Sequence, residues 1–203
     1  MNIELTGEQL ADVALSTLRA ALGSERYQYL SGPITGGRRL LTWHLAEGRL
    51  LAAERRRNAC RRAVIEPNIA DLREEANRQR AAGIRTIEPG SFEADFVHWG
   101  QAEFLAFWDR VLERHASRVR FVSGWEFSAG CAFEYRRAAA HGLARVDVDG
   151  HELAPAAALD LLATALGRID EAHDPADPRD EVLARLRDAI AFQTSLIAAI
   201  ARG

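Results

Sequence analysis

The chain has 203 residues, 48% hydrophobic and 27% charged, with a formal net charge of −3. That is enough chain to bury a sizeable core, as one domain with extensions or two small ones. The slightly acidic balance excludes a general nucleic-acid binder, which carries a basic excess, so no nucleic-acid partner is expected.

Two cysteines, Cys60 and Cys131, stand far apart without metal-ligand spacing. No disulfide framework follows from them, and a reducing cytoplasm is the expected compartment. The N-terminal Met1-Asn2-Ile3-Glu4-Leu5 lacks the basic and apolar regions of a signal peptide. No apolar run reaches the roughly 20 residues that span a bilayer, so no membrane partner is expected.

The first predicted element is a helix over 6–23, with Thr6 and Gln9 at capping-box spacing and Gly23 as its stop. A short aromatic strand follows at 26–31 and runs into the glycine-rich loop Gly32-Pro33-Ile34-Thr35-Gly36-Gly37-Arg38-Arg39. Leucines over 40–51 suggest more helix, followed by an arginine cluster at 55–62. Pro67 marks a helix start, and 68–82 reads as helix ended by Gly83. A strand at 84–87 and a loop over 91–100 come next; the loop carries Phe92, Asp95, Phe96, His98 and Trp99. Helix 101–116, strand 118–123, helix 129–141 and strand 143–148 complete an alternating series. That alternation predicts an α/β fold: a parallel, doubly wound sheet of Rossmann or flavodoxin type.

After His151 the composition shifts to two helices, about 155–169 and 179–201, joined by Asp174-Pro175-Ala176-Asp177-Pro178. The expected organisation is an α/β nucleotide-binding-like domain over 1–150, opened by the N-terminal helix, and a C-terminal helical extension over 151–203. The apolar stripe of the last helix (Val182, Leu186, Ile190, Ile197, Ile200) is longer than one small sheet needs. It suits packing on the core or on a second copy of the chain.

In an open parallel sheet, ligands bind beyond the carboxyl ends of the strands. Both notable loops, Gly32 to Arg39 and Gly124 to Gly130, follow strands. Together they predict a cleft lined by backbone N–H groups that suits a phosphate or another anion. Arg38 or Arg39 adds a bidentate contact. The first loop does not match Gly-x-Gly-x-x-Gly and lacks the ending of a P-loop, which sets aside dinucleotide oxidoreductases and NTPases. In the second loop Ser128 is placed to cap a helix, Gly130 leaves the backbone bare, and Glu134 falls one turn further on the same face.

Three blocks carry a resemblance. They are Tyr29-Leu30-Ser31-Gly32-Pro33-Ile34-Thr35-Gly36; Asn68 with its helix and Gly83-Ile84 onward to Pro89; and Gly124-Trp125-Glu126-x-Ser128-x-Gly130-x-x-x-Glu134 with Ala138 to Gly142. Together they resemble the nucleoside 2-deoxyribosyltransferase-like superfamily, in one of its branches of unknown function. The loop from Gly32 to Arg38 is also similar to that of the deoxynucleoside monophosphate N-glycosidases. The resemblance implies cleavage or transfer of an N-glycosidic bond with no metal or redox cofactor. It makes Glu134 the nucleophile that attacks the anomeric carbon, and Asp109 the assisting acid by position. Ser128 and the glycine loop would hold the sugar or 5′-phosphate. The substrate-binding set is then Tyr29, Gly32, Thr35, Gly36, Gly37, Arg38, Trp125, Ser128 and Gly130. The partner is a small nucleoside or nucleotide, and superfamily members often form dimers, so a homo-oligomer is expected. The chain has Ser117-Arg118 where relatives commonly carry an aspartate, and a long segment over 39–66. Both motivate the alternative of a binding module that recognises a nucleotide-like ligand without cleaving it.

Each residue also has a plainer reading. Glu134 has Arg137 one turn on as an ion-pair partner. Asp109 suits a solvated helix carboxylate, and Trp125 and Trp99 suit core or lid packing as well as base stacking. His98 lies in a loop, and no pair among the six histidines has zinc-ligand spacing. The arginines of 55–62 suit a solvated face, and Cys131 suits a small apolar core position.

Overall fold

The computed structural model describes residues 7–23, 25–91 and 99–202. Four strands form one parallel sheet in the order β2-β1-β3-β4. They are β1 (Tyr27–Ser31), β2 (Thr86–Ile87), β3 (Ala116–Phe121) and β4 (Ala144–Val146). The intervening helices are α2 (Gly37–Ala46), α3 (Ala53–Cys60), α4 (Glu66–Ala81), α5 (Gln101–His115) and α6 (Ala129–Ala140). Helix α1 (Gly7–Leu22) precedes the sheet, and α7 (Pro155–Ala172) and α8 (Glu181–Arg202) follow it. The chain is therefore the doubly wound α/β fold that the alternation predicts. Strand order reverses between β1 and β3, which is where such a sheet opens a ligand crevice.

The faces follow from the strand period of two. Tyr29 and Ser31 point to one side of β1, and Leu30 points to the other, where it packs on Leu72 and Ala76 of α4. Tyr29 joins the main core with Val119 and Phe121 of β3, Val111 and Leu112 of α5, and Ala132 and Tyr135 of α6. That core continues without a break into Ala158, Leu162, Ala165 and Ile169 of α7 and Leu183, Ile190 and Ile197 of α8. The C-terminal helices thus share the core of the α/β unit. A second link is polar: His44 of α2 lies 2.8 Å from Asp180 at the foot of α8, both side chains fully buried.

Pro67 does not open a fresh helix. The chain is helical from Ala53, passes through a π turn at Arg61–Ile65 and continues as α4. Proline removes one N–H and its ring collides with the carbonyl four residues back. The π turn relieves this, because Glu66 N–H bonds the Arg61 carbonyl five residues back and the helix widens before the ring. Helix α3 buries none of its residues, so the arginine cluster is a largely solvated face. The predicted capping residue Thr6, and Phe92, Asp95, Phe96 and His98 of the predicted loop, lie outside the described residues.

Candidate active site

The loop after β1 and the loop after β3 touch. A Cβ built on Gly36 would lie 3.6 Å from the Phe127 carbonyl oxygen and 3.9 Å from Ser128 Cα. Gly37 (φ +84°) and Gly124 (φ +85°) both adopt the left-handed conformation that glycine tolerates. Gly32 is glycine for a different reason: a Cβ there would meet Val122 Cγ2 at 2.5 Å and Leu72 Cδ2 at 2.6 Å. It is a packing residue beneath the loop. Asn68 of α4 fixes the loop from outside, donating its amide to the carbonyls of Ile34 (2.9 Å) and Gly36 (3.1 Å). Its own carbonyl accepts from Arg39 at 2.5 Å.

Ser128 caps α6, accepting from the Cys131 N–H at 3.4 Å. The cap sets the helix phase that turns Glu134 inward, toward β1. There Tyr29 Oη donates to Glu134 Oε1 and Ser31 Oγ donates to Oε2, each at 2.5 Å. Glu134 is only 8% exposed. Burial pushes its pKa from 4.5 up to about 7, although the two hydroxyls pull it down by favouring the charged form. Burial, and then the neighbouring Glu134 charge, push the Tyr29 phenol well up, so it remains a donor near neutrality. Burial likewise pushes up the thiol of Cys131, next to Glu134, so it is no nucleophile. The arrangement is a buried carboxyl that titrates near neutral pH, with a hydroxyl donor on each oxygen.

The other expected site residues divide. Arg38 is 54% exposed, donates to Glu126 Oε1 at 2.9 Å and lies over the Phe127 ring at 5.3 Å. Thr35 is exposed at the loop tip. Gly130 has open space, with only Ser128 Oγ within reach at 3.8 Å. Trp125 is not a base-stacking surface: it is buried, stacked on Tyr135 (5.4 Å, 14°) and tilted against Phe121. Trp99 rests edge-on against Phe104 and Phe107. Asp109 makes no hydrogen bond to Glu134. It accepts from Arg137 Nε at 2.5 Å and pairs with His141 Nε2 at 2.9 Å. Burial would raise its pKa, but the hydrogen bonds from Arg137 and His141, with the Arg137 charge, outweigh it and hold the carboxyl below its usual range. Arg137, the plain ion-pair partner for Glu134, is thus committed to Asp109.

Three contributors escape sequence reading as site residues: Ser31, Asn68 and Glu126. Ser31 is detectable in principle, because it lies two residues from Tyr29 on one strand face. The switch point opens on the α4 side as a cleft of about 540 Å³, lined by Pro33, Arg38, Arg39, Asn68, Leu72 and Gly124 among others. Glu134 is not in its lining. Among the described residues one metal-type cluster occurs, Asp147, Asp149 and His151. There Asp147 Oδ1 already accepts the N–H groups of Asp149 and His151, which makes it a turn. No described helix is long and apolar enough to cross a membrane. No family model, curated protein or solved structure matches the chain.

Proposed function

We propose that the chain cleaves or transfers the N-glycosidic bond of a nucleoside or nucleoside 5′-monophosphate, with Glu134 as nucleophile. One observation carries this reading: a buried carboxyl at the β1/β3 switch point, held on both oxygens by Tyr29 and Ser31. In this reading the Glu134 carboxylate attacks the anomeric carbon. The C–N bond breaks, its electron pair leaves on the base nitrogen, and that nitrogen takes a proton from water. Water or a second base then displaces the carboxylate and releases the sugar or forms a new nucleoside. A nearby carboxylate favours such chemistry because the transition state is oxocarbenium-like. The hydroxyls fix the carboxylate while positive charge develops opposite it. No metal or redox cofactor is needed.

The test is a panel of nucleosides and their 5′-monophosphates, with free base read by chromatography. Base release that vanishes in Glu134→Gln supports the reading; binding without release across the panel overturns it. A second reading is a ligand-binding module without chemistry. It is favoured by the open cleft, which presents Arg38, Arg39 and Asn68 but not Glu134. We also place the chain in the cytoplasm and expect a homo-oligomer, probed by sedimentation with the exposed Phe192 and Ile200 of α8 changed to serine.

A further inference from the structure

We propose that Glu126 is a positioning residue that holds Arg38 across the seam between the two loops, and that an oxyanion taking Arg38 opens the way to Glu134. The inference rests on the reading of Glu134 as the reacting group. Glu126 lies in the second loop and Arg38 at the start of α2, directly after the first loop. Among the described residues Arg38 is the one side-chain partner of the Glu126 carboxylate, at 2.9 Å. The pair is asymmetric: the Glu126 side chain is 8% exposed and that of Arg38 54%. A buried charge is therefore balanced by a cation that water, and a ligand, can reach.

Arg38 also lines the cleft, with Arg39 and Arg78 and beside the carboxylates of Asp71, Glu74 and Glu75, so an anion entering there comes within its reach. A phosphate offers the guanidinium a fork of oxygens that a single carboxylate oxygen does not match. Once Arg38 turns to that anion, Glu126 is buried without a partner. An unpaired buried carboxylate is strongly unfavourable, so the second loop must move until water reaches it. The backbone allows this, because Gly36 and Gly37 border the seam on one side and Gly124 on the other. The seam is the close approach of Gly36 to Phe127 and Ser128. Behind it begins α6, which carries Glu134. The ligand thus shifts a closed arrangement toward an open one by its differential contact with Arg38.

The test uses the full chain and inorganic phosphate, with chloride at matched ionic strength as the control for screening. Amide hydrogen exchange is read by mass spectrometry over 122–134, and phosphate binding by calorimetry. In the native protein phosphate, and not chloride, speeds exchange in 124–128. In Glu126→Gln exchange is already faster without phosphate, and phosphate binds about tenfold more tightly, a usual size for coupling between linked sites. Arg38→Gln also exchanges faster and loses the response to phosphate; it serves alone if Glu126→Gln does not fold. Equal phosphate affinity in native and Glu126→Gln protein, or exchange indifferent to phosphate, overturns the inference. Both readouts are independent of turnover. Base release without a phosphate response sinks the latch alone, and a phosphate response without base release sinks the glycosidase reading alone.

Discussion

Ser31 and Glu134 are 103 positions apart in sequence, yet their side-chain oxygens meet at 2.5 Å in the core. The contact joins the last residue of β1 to the second turn of α6, across the point where the sheet reverses order. Together with Tyr29 it gives one carboxyl two hydroxyl donors, and the clearest predictions concern that carboxyl.

If the Glu134 carboxylate is the nucleophile, as proposed, base release should rise with pH through a single ionisation near 7, because burial holds its pKa at about 7. Glu134→Gln should reduce release by at least about a thousandfold, the scale seen when a nucleophile is removed. A pH–rate profile with its inflection near 4.5, the ordinary carboxyl value, would contradict the assignment.

Stability should respond to pH in the opposite sense to that of most carboxylates. The folded-state pKa of Glu134 is raised, so between about 4.5 and 7 the folded state holds a proton that the unfolded state has lost. Folding is then most favoured below pH 4.5 as far as this group is concerned. Its contribution falls by about 3 kcal/mol as pH rises to 7 and is constant beyond. Urea denaturation across this range should show the decline in native protein and a flatter profile in Glu134→Gln.

Removing a donor should act through the same group. Tyr29→Phe or Ser31→Ala takes away a hydroxyl that favours the charged form, so the pH–rate inflection should move upward. Each change should cost about 1–3 kcal/mol of stability as well, since a buried acceptor loses its partner. A profile unmoved in both variants would mean that the hydroxyls do not tune Glu134.

His44 and Asp180 should behave as a structural pin. Both are fully buried, and Asp180 also accepts from the Asp174 N–H. His44→Ala strands a buried carboxylate and should cost about 3–5 kcal/mol. Denaturant titration, with limited proteolysis at the foot of α8, reports both the loss and where the chain opens.

Two glycine substitutions should separate packing from function. Gly32→Ala pushes a methyl into Val122 and Leu72 and should cost about 1–3 kcal/mol of stability. Gly130→Ala meets open space on a helix and should be neutral or gain up to about 1 kcal/mol. If Gly130→Ala keeps its stability but loses ligand binding, the bare backbone there serves a ligand.

Much of this was written locally. Alternating helix and strand periods point to the parallel α/β class, because parallel neighbours need a crossover connection and a helix usually supplies it. Gly37 and Gly124 mark turns, Ser128 marks the start of α6, and Glu134 lies at a readable offset from that cap. Pro67 misleads, since a proline in sequence reads as a helix start, while the π turn before it lets the helix continue. Trp125 stays open in sequence between base stacking and core packing, and Tyr135 and Phe121, which enclose it, decide for the core.

The sequence by itself determined the order of the main helices and strands and the position of Glu134 one turn beyond the capped start of α6. These depend on period, capping and backbone preference, which act within a few residues. Tertiary structure alone decided the partners. Asp109 goes to Arg137 and His141, Glu134 to Tyr29 and Ser31, and Glu126 to Arg38. Each pairing depends on which faces the crossovers bring together, and burial then sets the charge state. A carboxyl that is unremarkable in an isolated helix becomes, under the sheet's switch point, an acid that titrates near neutrality.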